Sequence, residues 1–268
     1  MTEPRDNRDR EFITALSRGL SVLQSFDRDH PELTLSEVAK VTDLSPGTTR
    51  RCLITLRQLG YIGVNGKRFF LLPKVVSIGA AYLDAARVEE IILPYLRELV
   101  ATTGESSSLG VLDGEDVLHL ANYSAKRLIR MTAGVGTRFP AHATSLGRVL
   151  LASLPPDRLD RFLSKAKLAR LTVKTVTDAG KLKRIMKTVE KHGFAKVVDE
   201  LEEGLTSVAV PVRVSGRTVA AINSSTFFRG EESARTTAVG LAALRQAATD
   251  IARATSRVPA LLHSFAPG

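Results

Sequence analysis

The strongest constraint on the fold is the segment "SPGTTRRCLITLRQLGYIGVNGKRFFLL", which starts at Ser45. Ser followed by Pro favours a helix start, because Ser caps free backbone amides and Pro suits the first helical position. Two apolar segments flank Asn65-Gly66, a dipeptide typical of a two-residue β-hairpin. We therefore predict a helix from about Pro46 to Leu59, ended by Gly60, with a hairpin after it. The residues expected on the packed face of the helix are Thr49, Cys52, Leu53, Leu56 and Leu59.

Two shorter helices are predicted before this one. In "TALSRGLSVLQSFD", apolar residues recur at helical spacing and form one apolar stripe: Leu16, Leu20, Val22 and Leu23. In "LTLSEVAKVT", Thr34 followed by Glu37 is a capping box, in which the hydroxyl and the carboxylate each accept a hydrogen bond from a backbone amide. A tight turn, "TDL", then leads into the third helix. This order of elements, followed by the hairpin, predicts a winged helix-turn-helix domain over residues 13–74.

The charge of this segment is also unusual, because no carboxylate occurs from Leu44 to Leu83. In a winged helix-turn-helix the third helix enters the major groove of DNA, and the hairpin lies along the phosphates. A carboxylate on either surface would repel DNA. The alternatives are a small helical domain that its basic residues merely keep in solution, or a winged helix that binds protein. The residues predicted to contact DNA are Ser45, Gly47, Thr48, Arg50, Arg51, Arg57, Lys67 and Arg68.

The whole chain sets wider limits. Its 268 residues suit two domains, and a formal net charge of +10 favours polyanionic partners. No apolar run reaches the roughly 18 residues of a membrane-spanning helix, and a polar start with a flexible tail over residues 1–12 is unlike a signal peptide. Cys52 is the single cysteine, and its place on a packed face indicates a small buried side chain rather than a redox sensor. We expect a cytoplasmic protein that is associated with the nucleoid when bound to DNA.

Downstream of the hairpin the pattern becomes a mixture of helices and strands. A linker helix is predicted over residues 75–87, and another helix, with a break near Pro94, runs from Val88 to Gly104. Strands are expected at "SSSLGVL", "VLHLANY", "LIRMTA", "GFAKVVDE", "GLTSVAVPVRV" and "TVAAINSSTF", and a last helix over about Glu231–Thr255. This order predicts an α+β domain over residues 88–268, in which helices flank an antiparallel sheet.

The second domain contains no strong catalytic or metal-binding motif. No glycine-rich segment has the strand–loop–helix spacing of a nucleotide site. His142 lies near Ser145 in sequence, but a nucleophile needs a base that a third group orients. Asp113, Glu115 and Asp116 lack the ligand spacing of a calcium loop and fit a hairpin turn instead. We predict no catalytic residue, no metal and no cofactor.

Small polar residues cluster at the ends of the predicted elements of this domain. Such side chains can line a largely apolar pocket that holds a small molecule, or they can simply cap helices and strands. Spacing alone leaves both interpretations open. The residues concerned are Ser106–Ser108, Thr144, Ser145, Asp199, Ser207 and Ser224–Thr226.

Four segments together resemble the IclR family of bacterial transcription regulators along nearly the whole chain: "SRGLSVLQSF", "LTLSEVAKVTDLSPGTTRRCLITLRQLGYI", "GTRFPAHATSLGRVLLASL" and "DELEEGLTSVAVPVRVSGRTVAAINSS". The last two are most similar to the branch that regulates protocatechuate, 4-hydroxybenzoate and β-ketoadipate catabolism. The resemblance implies a winged helix-turn-helix, a linker helix that helps dimerisation and a C-terminal GAF-like effector domain. It also implies homodimers, or dimers of dimers, on a palindromic operator in double-stranded DNA, with RNA polymerase as a further candidate partner.

The resemblance also implies where a small organic acid would bind as effector. A carboxylate needs a cation or amide donors to stabilise it, and Arg130, Arg138 and Arg148 are candidates for that cation. The positions that match the family's effector pocket are Thr144, Ser145, Leu146, Asp199, Ser207, Ser224 and Thr226.

We therefore predict a ligand-responsive DNA-binding regulator of aromatic acid catabolism that has no enzymatic activity. Effector binding would favour one arrangement of two effector domains, and the linker helices would convert it into half-site spacing. Activation and repression both fit this scheme. Two other functions stay open: a hydrolase-like second domain that uses Ser145 and His142, and an architectural DNA-binding protein that responds to no ligand.

Overall fold

The computed structural model describes residues 11–27, 29–125, 134–227 and 232–265, with no side chains for residues 232–239. The chain divides into two compact units between Tyr82 and Leu83, within the predicted linker helix. Most of the tail predicted over residues 1–12, the strand "LIRMTA" and Arg130 lie outside the described residues. Within the described part of the chain, no helix is long and apolar enough to cross a membrane.

The first unit is a helix-turn-helix followed by a small sheet. Its helices are α1 (Thr14–Gln24), α2 (Leu35–Thr42) and α3 (Pro46–Gln58). Its strands, β1 (Glu32–Thr34), β2 (Ile62–Asn65) and β3 (Arg68–Leu71), form an antiparallel sheet in the order β1-β3-β2. The buried centre contains Val22, Val38, Leu53 and Ile62. The predicted winged helix-turn-helix is confirmed.

Both predicted helix caps are present. Thr34 Oγ1 accepts a hydrogen bond from the Glu37 amide at 3.4 Å, and the Glu37 carboxylate accepts one from the Thr34 amide at 2.7 Å. Ser45 Oγ accepts a hydrogen bond from the Thr48 amide at 3.3 Å, and Pro46 occupies the first position of α3. Each cap satisfies amides that a helix start leaves free, so neighbouring residues fix the starts of both helices.

The sheet of this unit has one more strand and a later turn than the sequence predicts. β1 pairs with β3 over Glu32–Thr34, and three residues are too few to show strand periodicity. Asn65 pairs with Arg68, so the turn is Gly66-Lys67 rather than Asn65-Gly66. Gly66 takes a φ of 57°, which glycine adopts without strain. Lys67 therefore lies in the turn, and Arg68 belongs to the strand.

Three apolar residues that were predicted to pack are exposed. Leu59 follows the end of α3 and is 52% exposed. Leu16 and Leu20 are 60% and 47% exposed, because Val22 is the buried residue of α1. Leu16 and Leu20 therefore belong to the surface, whereas Val22 is in the core and Leu23 packs against it. The other residues predicted on the packed face of α3 are buried or half-buried: Thr49, Cys52, Leu53 and Leu56.

The segment after the hairpin forms two helices. A 3-10 turn (Pro73–Val75) leads into α4 (Val76–Ala86), and α5 follows over Val88–Thr103. The interruption lies at Arg87, which has a left-handed φ of 51°, and Pro94 lies inside α5 without ending it. The break predicted near Pro94 is therefore wrong. Gly104 caps the end of α5, as predicted.

The second unit contains a six-stranded antiparallel sheet in the order β6-β5-β4-β9-β8-β7. Ser215 and Gly216 form the turn between its two longest strands, and both have positive φ, as the predicted hairpin requires. The predicted α+β fold is confirmed. The strands are β4 (Ser106–Asp113), β5 (Asp116–Tyr123), β6 (Arg138–Pro140), β7 (Ala195–Val198), β8 (Leu205–Val214) and β9 (Arg217–Phe227).

Helices cover both faces of this sheet. On one face α5 packs with α9 (Glu232–Thr255), and Leu96 of α5 and Leu244 of α9 are fully buried. The other face holds α6 (Ser145–Ala152), α7 (Pro156–Lys165) and α8 (Ala179–His192), and α10 (Pro259–Phe265) follows α9. At the start of α6 a Cβ on Gly147 would lie 2.1 Å from the Ala141 carbonyl oxygen, so only glycine fits this close approach. The start of α6 thereby lies close against the 3-10 turn Ala141–Ala143.

Candidate functional site

The first candidate site is the exposed face of α3. Thr49 and Leu53 point into the core, and Arg51 and Ile54 lie on the opposite side of the helix. Gly47 is also exposed there, with open space beside its Cα. Ile54 is 45% exposed and was not predicted as a contact residue. An apolar side chain at this place can contact a thymine methyl group in the major groove.

Basic residues flank this face. Arg50 and Arg57 lie seven residues apart, which is two helical turns, so they follow one edge of α3. Lys67 is exposed in the hairpin turn. Within the described residues no carboxylate pairs with any of these three side chains or with Arg51. The surface therefore offers several free cations to a polyanion.

Arg68 is less free than the sequence implied. Its Nη1 donates a hydrogen bond to the Glu32 carbonyl at 3.3 Å and lies 4.0 Å from the Glu37 carboxylate. Glu37 itself has a pKa below its usual value, mainly because the Thr34 amide and hydroxyl donate to it. No carboxylate interrupts this stretch along the chain, but in space the Glu37 carboxylate of α2 lies beside Arg68 of the hairpin. Arg68 therefore also holds the hairpin to α2.

Ser45 and Lys74 have structural roles. Ser45 is the cap of α3, and its hydroxyl donates to Thr48 Oγ1 at 3.0 Å. Lys74 Nζ donates to the Leu59 carbonyl at 2.8 Å and lies 4.9 Å from the centre of the Tyr61 ring. Lys74 thus satisfies a free carbonyl at the end of α3, which explains a basic residue that the DNA prediction left out.

The second candidate site is a small internal cavity of about 30 Å³ between α6 and the sheet. It includes four of the predicted effector residues, Thr144, Ser145, Leu146 and Ser207. A space of this size holds about one or two water molecules. Its full lining is His119, Phe139, Ala143, Thr144, Ser145, Leu146, Val197, Leu201, Leu205, Ser207, Asn223 and Ser225.

Ser224 and Thr226, predicted to line the same pocket, lie on the other side of β9. Side chains alternate along a strand, so Asn223 and Ser225 face the cavity instead. Ser224 Oγ donates to the Glu105 carboxylate at 2.9 Å, away from the cavity. The prediction therefore chose the right strand and the wrong register, because an apolar–polar pattern is absent from this buried strand.

Asp199 is also absent from the cavity lining. It takes a left-handed φ of 58°, and its carboxylate accepts hydrogen bonds from the Gly204 amide at 2.7 Å and Lys174 Nζ at 2.5 Å. These contacts shape the loop between β7 and β8. The Asp199 carboxylate therefore closes a loop next to the cavity instead of lining it.

Hydroxyl and amide groups form a connected network on the cavity floor. Ser145 Oγ and Ser207 Oγ are 2.6 Å apart, and Asn223 Nδ2 donates to Ser207 Oγ at 3.0 Å. Asn223 Oδ1 accepts from the Ser108 amide at 3.0 Å. Thr144 Oγ1 caps α6 by accepting from the Gly147 amide at 3.1 Å. The network is uncharged and offers both donors and acceptors.

His119 differs from the rest of the lining. It is 3% exposed, its ring meets the Phe139 ring edge-on at 5.3 Å between centroids, and its Nδ1 has no hydrogen-bond partner among the described residues. Burial lowers the pKa of His119 from 6.5 to about 4, so its imidazole is neutral at pH 7. The sequence pattern gives no sign of this role, because a lone histidine on a strand carries no signal of a cavity.

The arginines considered as carboxylate partners do not reach the cavity. Arg148 is buried, and its Nη2 donates to the Glu200 carboxylate at 2.6 Å. Arg138 is partly exposed and pairs with Asp113 at 2.5 Å and Asp116 at 3.2 Å. These contacts are structural, and Arg130 lies outside the described residues. The lining of the cavity therefore contains no arginine or lysine.

The candidate catalytic pair is not assembled. His142 Nε2 lies 3.0 Å from the Ala169 carbonyl oxygen, and Ser145 Oγ bonds to Ser207. No base therefore meets the Ser145 hydroxyl among the described residues. The same part of the chain contains no cluster of three or more side chains that could hold a metal ion.

Comparison with known proteins identifies the family of both units. Residues 15–66 match the IclR helix-turn-helix domain, and residues 80–256 match the domain described as bacterial transcriptional regulator IclR C-terminal. The chain belongs to the IclR family. Its similarity to the Pca regulon regulatory protein of Pseudomonas putida is 38% identity over 220 residues, which cover 81% of this chain and 76% of that protein.

Two further IclR relatives are informative. The p-hydroxybenzoate hydroxylase transcriptional activator of Acinetobacter baylyi is 33% identical over 222 residues, covering 81% of this chain and 82% of that protein. The crystal structure of an IclR homologue from Microbacterium hydrocarbonoxydans with 4-hydroxybenzoate has a TM-score of 0.72 and 26% identity, covering 91% of this chain and 99% of that one. This IclR-family chain is thus a transcription regulator, as its named relatives are, and not an enzyme.

Replacing Arg148 with Met should strongly destabilise the effector unit of this IclR-family chain, because the Glu200 carboxylate would stay buried without its partner. Removing one member of a buried pair costs about 3–5 kcal/mol. Arg138→Met is the matched control, since its exposed pairs should contribute less than about 1 kcal/mol. Urea unfolding measures both losses. Equal losses in the two variants would contradict this account of Arg148.

His119 should make stability depend on pH. Its pKa is lower in the folded protein, about 4 rather than 6.5, so the unfolded chain binds the proton first as the pH falls. The stability is complete above about pH 6.5 and is lost as the pH falls toward 4. His119→Phe removes this proton. Between pH 7 and pH 5 the free energy of unfolding should fall by about 2 kcal/mol more in the wild type than in the variant. Urea unfolding measures this fall. An equal fall in both proteins would contradict this account of His119.

Proposed function

We propose that this IclR-family regulator binds a palindromic operator as a dimer or dimer of dimers and responds to an aromatic acid of the protocatechuate or 4-hydroxybenzoate type. The observation that carries the proposal is the presence in one chain of a basic face on α3 and an uncharged polar cavity under α6. Relatives named for the Pca regulon and for p-hydroxybenzoate hydroxylase support aromatic catabolism as the regulated process.

On DNA, the start of α3 would enter the major groove. Arg51 on its outer face would contact base edges, with Gly47 and Thr48 allowing a close approach of the backbone. Arg50 and Arg57 along the flank would contact phosphates, and so would Lys67 in the hairpin turn. Ser45 would contribute by capping the start of α3. Arg68 would interact with both the phosphates and the Glu37 carboxylate.

An aromatic acid would enter beneath the start of α6. Helix starts bind anions through free amides, and the hydroxyls of Ser145 and Ser207 add donors where no arginine or lysine is present. Small-molecule pockets usually measure about 300–1,000 Å³. The cavity of about 30 Å³ must therefore widen. A ligand that binds only the widened form shifts the population toward it, which is what a regulatory response requires.

Self-association is supported by exposed apolar side chains. Leu16 and Leu20 on α1, and Val76 and Ile78 on α4, are at least 47% exposed. Apolar surface of this kind is typical of a protein–protein contact. A bound oligomer would stay with the nucleoid and could act by recruiting RNA polymerase or by blocking it.

The DNA proposal predicts different effects for two substitutions. Arg51→Ala should cost about 1–3 kcal/mol of operator binding and relax base preference if Arg51 bonds a guanine. Lys67→Ala should weaken binding to all sequences and lower the slope of affinity against salt concentration by about one. Lys74→Ala is a control, because Lys74 caps α3. Fluorescence anisotropy on selected DNA measures each effect, and an unchanged operator affinity for Arg51→Ala would refute its role.

The effector proposal predicts thermal stabilisation by 4-hydroxybenzoate and protocatechuate. A ligand that binds only the folded state raises stability by RT ln(1 + [L]/Kd), so a concentration of about 100 Kd adds about 2.7 kcal/mol. Ser207→Ala on the cavity should lower the shift, whereas Ser224→Ala, which faces away from it, should not. Sequencing of DNA selected with and without these acids tests the response. No thermal shift and no change in selected DNA would remove the effector from the proposal.

A further inference from the structure

His119 has the one buried polar atom of the cavity lining that lacks a partner within the described residues. Its Nδ1 makes no hydrogen bond to the described residues, although His119 is only 3% exposed. Leaving a buried polar atom unsatisfied costs about 1–3 kcal/mol, so each such atom needs an explanation. The cavity beside His119 is the place from which a partner can come.

The other polar side chains of the lining already have partners. Ser145, Ser207 and Asn223 bond to one another, and Thr144 caps α6. Ser225 Oγ donates to the Ser106 carbonyl at 3.3 Å. A ligand can rearrange this network, but these side chains already have hydrogen-bond partners without a ligand. The His119 Nδ1 has none among the described residues.

His119 and Asn223 of the network lie on different strands of the sheet that lines the cavity. His119 is on β5 and Asn223 is on β9, with β4 between them in the sheet. Two strand spacings separate their backbones, which is about 10 Å. Phe139 and Leu146 contribute apolar walls. The arrangement suits a flat molecule that has a polar group at each end of an aromatic ring, with its acid group at the start of α6.

We propose that His119 selects the ring hydroxyl of the effector: its Nδ1 accepts a hydrogen bond from a hydroxyl para to the carboxyl group. This inference rests on the proposed function and specifies its ligand as a 4-hydroxylated aromatic acid. A neutral imidazole has one acceptor nitrogen, and burial keeps His119 neutral at pH 7. A site built to bond a hydroxyl rejects the analogue without it, because its own polar atom then stays unpaired.

The test measures the affinity of the full-length protein for 4-hydroxybenzoate and benzoate by isothermal titration calorimetry. The wild type should prefer 4-hydroxybenzoate about tenfold or more, the effect of one buried hydrogen bond. His119→Phe keeps an aromatic ring against Phe139, and it should bind the two acids with about equal affinity. His119→Asn places an amide near the position of Nδ1 and should keep part of the preference. Circular dichroism of each variant checks folding.

A second ligand comparison needs no variant. 4-Fluorobenzoate resembles 4-hydroxybenzoate in size and donates no hydrogen bond, so the wild type should bind it about as weakly as benzoate. Equal binding of the fluoro and hydroxy acids overturns the inference even where His119→Phe does not fold. A preference that survives in folded His119→Phe also overturns it.

The outcomes separate this inference from the proposed function. Equal weakening of both acids in His119→Phe would mean that His119 meets the carboxylate or only shapes the wall, and the hydroxyl assignment would fall. The regulator would still be responsive to aromatic acids. Absence of binding by either acid to the wild type would overturn the effector half of the proposed function, and the role of His119 with it.

Discussion

The second unit depends on the buried guanidinium of Arg148. It donates to the Glu200 carboxylate at 2.6 Å and to the His142 carbonyl at 3.0 Å, while the same carboxylate oxygen accepts from the Val176 amide at 3.0 Å. One ion pair thus joins the turn before α6, the loop after β7 and the loop before α8. The first two of these segments adjoin or supply walls of the cavity. Because breaking a buried ion pair is costly, any widening of the cavity has to keep Arg148 and Glu200 together.

The lining would limit which ligands the proposed effector cavity accepts. The lining has no arginine or lysine, so an acid would depend on amides and hydroxyls for its charge and on apolar contact for its ring. Such a pocket would reject a ligand mainly because polar atoms of the pocket stay without a hydrogen-bond partner, and less because the ligand lacks charge. The loop closed by Asp199 lies on the border of the cavity, where Leu201 and Leu205 contribute apolar wall. A wider form of the cavity would have to move side chains there or at the start of α6.

Features decided by neighbours in sequence could be predicted, and features decided by distant contacts could not. The caps at Thr34 and Ser45 and the turn at Ser215-Gly216 follow from local chemistry, so the sequence alone predicted them. The wrong register on β9 and the unpredicted strand β1 depend on pairing with residues far along the chain. The pairing of Arg148 with Glu200 brings together residues 52 positions apart. The role of His119 was invisible for the same reason, since a cavity is a property of the folded chain.

Thr34 connects the two halves of the DNA-binding unit in a single residue. It is the last residue of β1, paired with Arg68 in the hairpin, and it is also the cap of α2. No flexible joint separates the sheet from the helix pair. The position of the hairpin relative to α2 is therefore set during folding. The hairpin would then lose little conformational entropy on binding DNA. Sequence preference would depend on contacts with DNA rather than on a rearrangement of the protein.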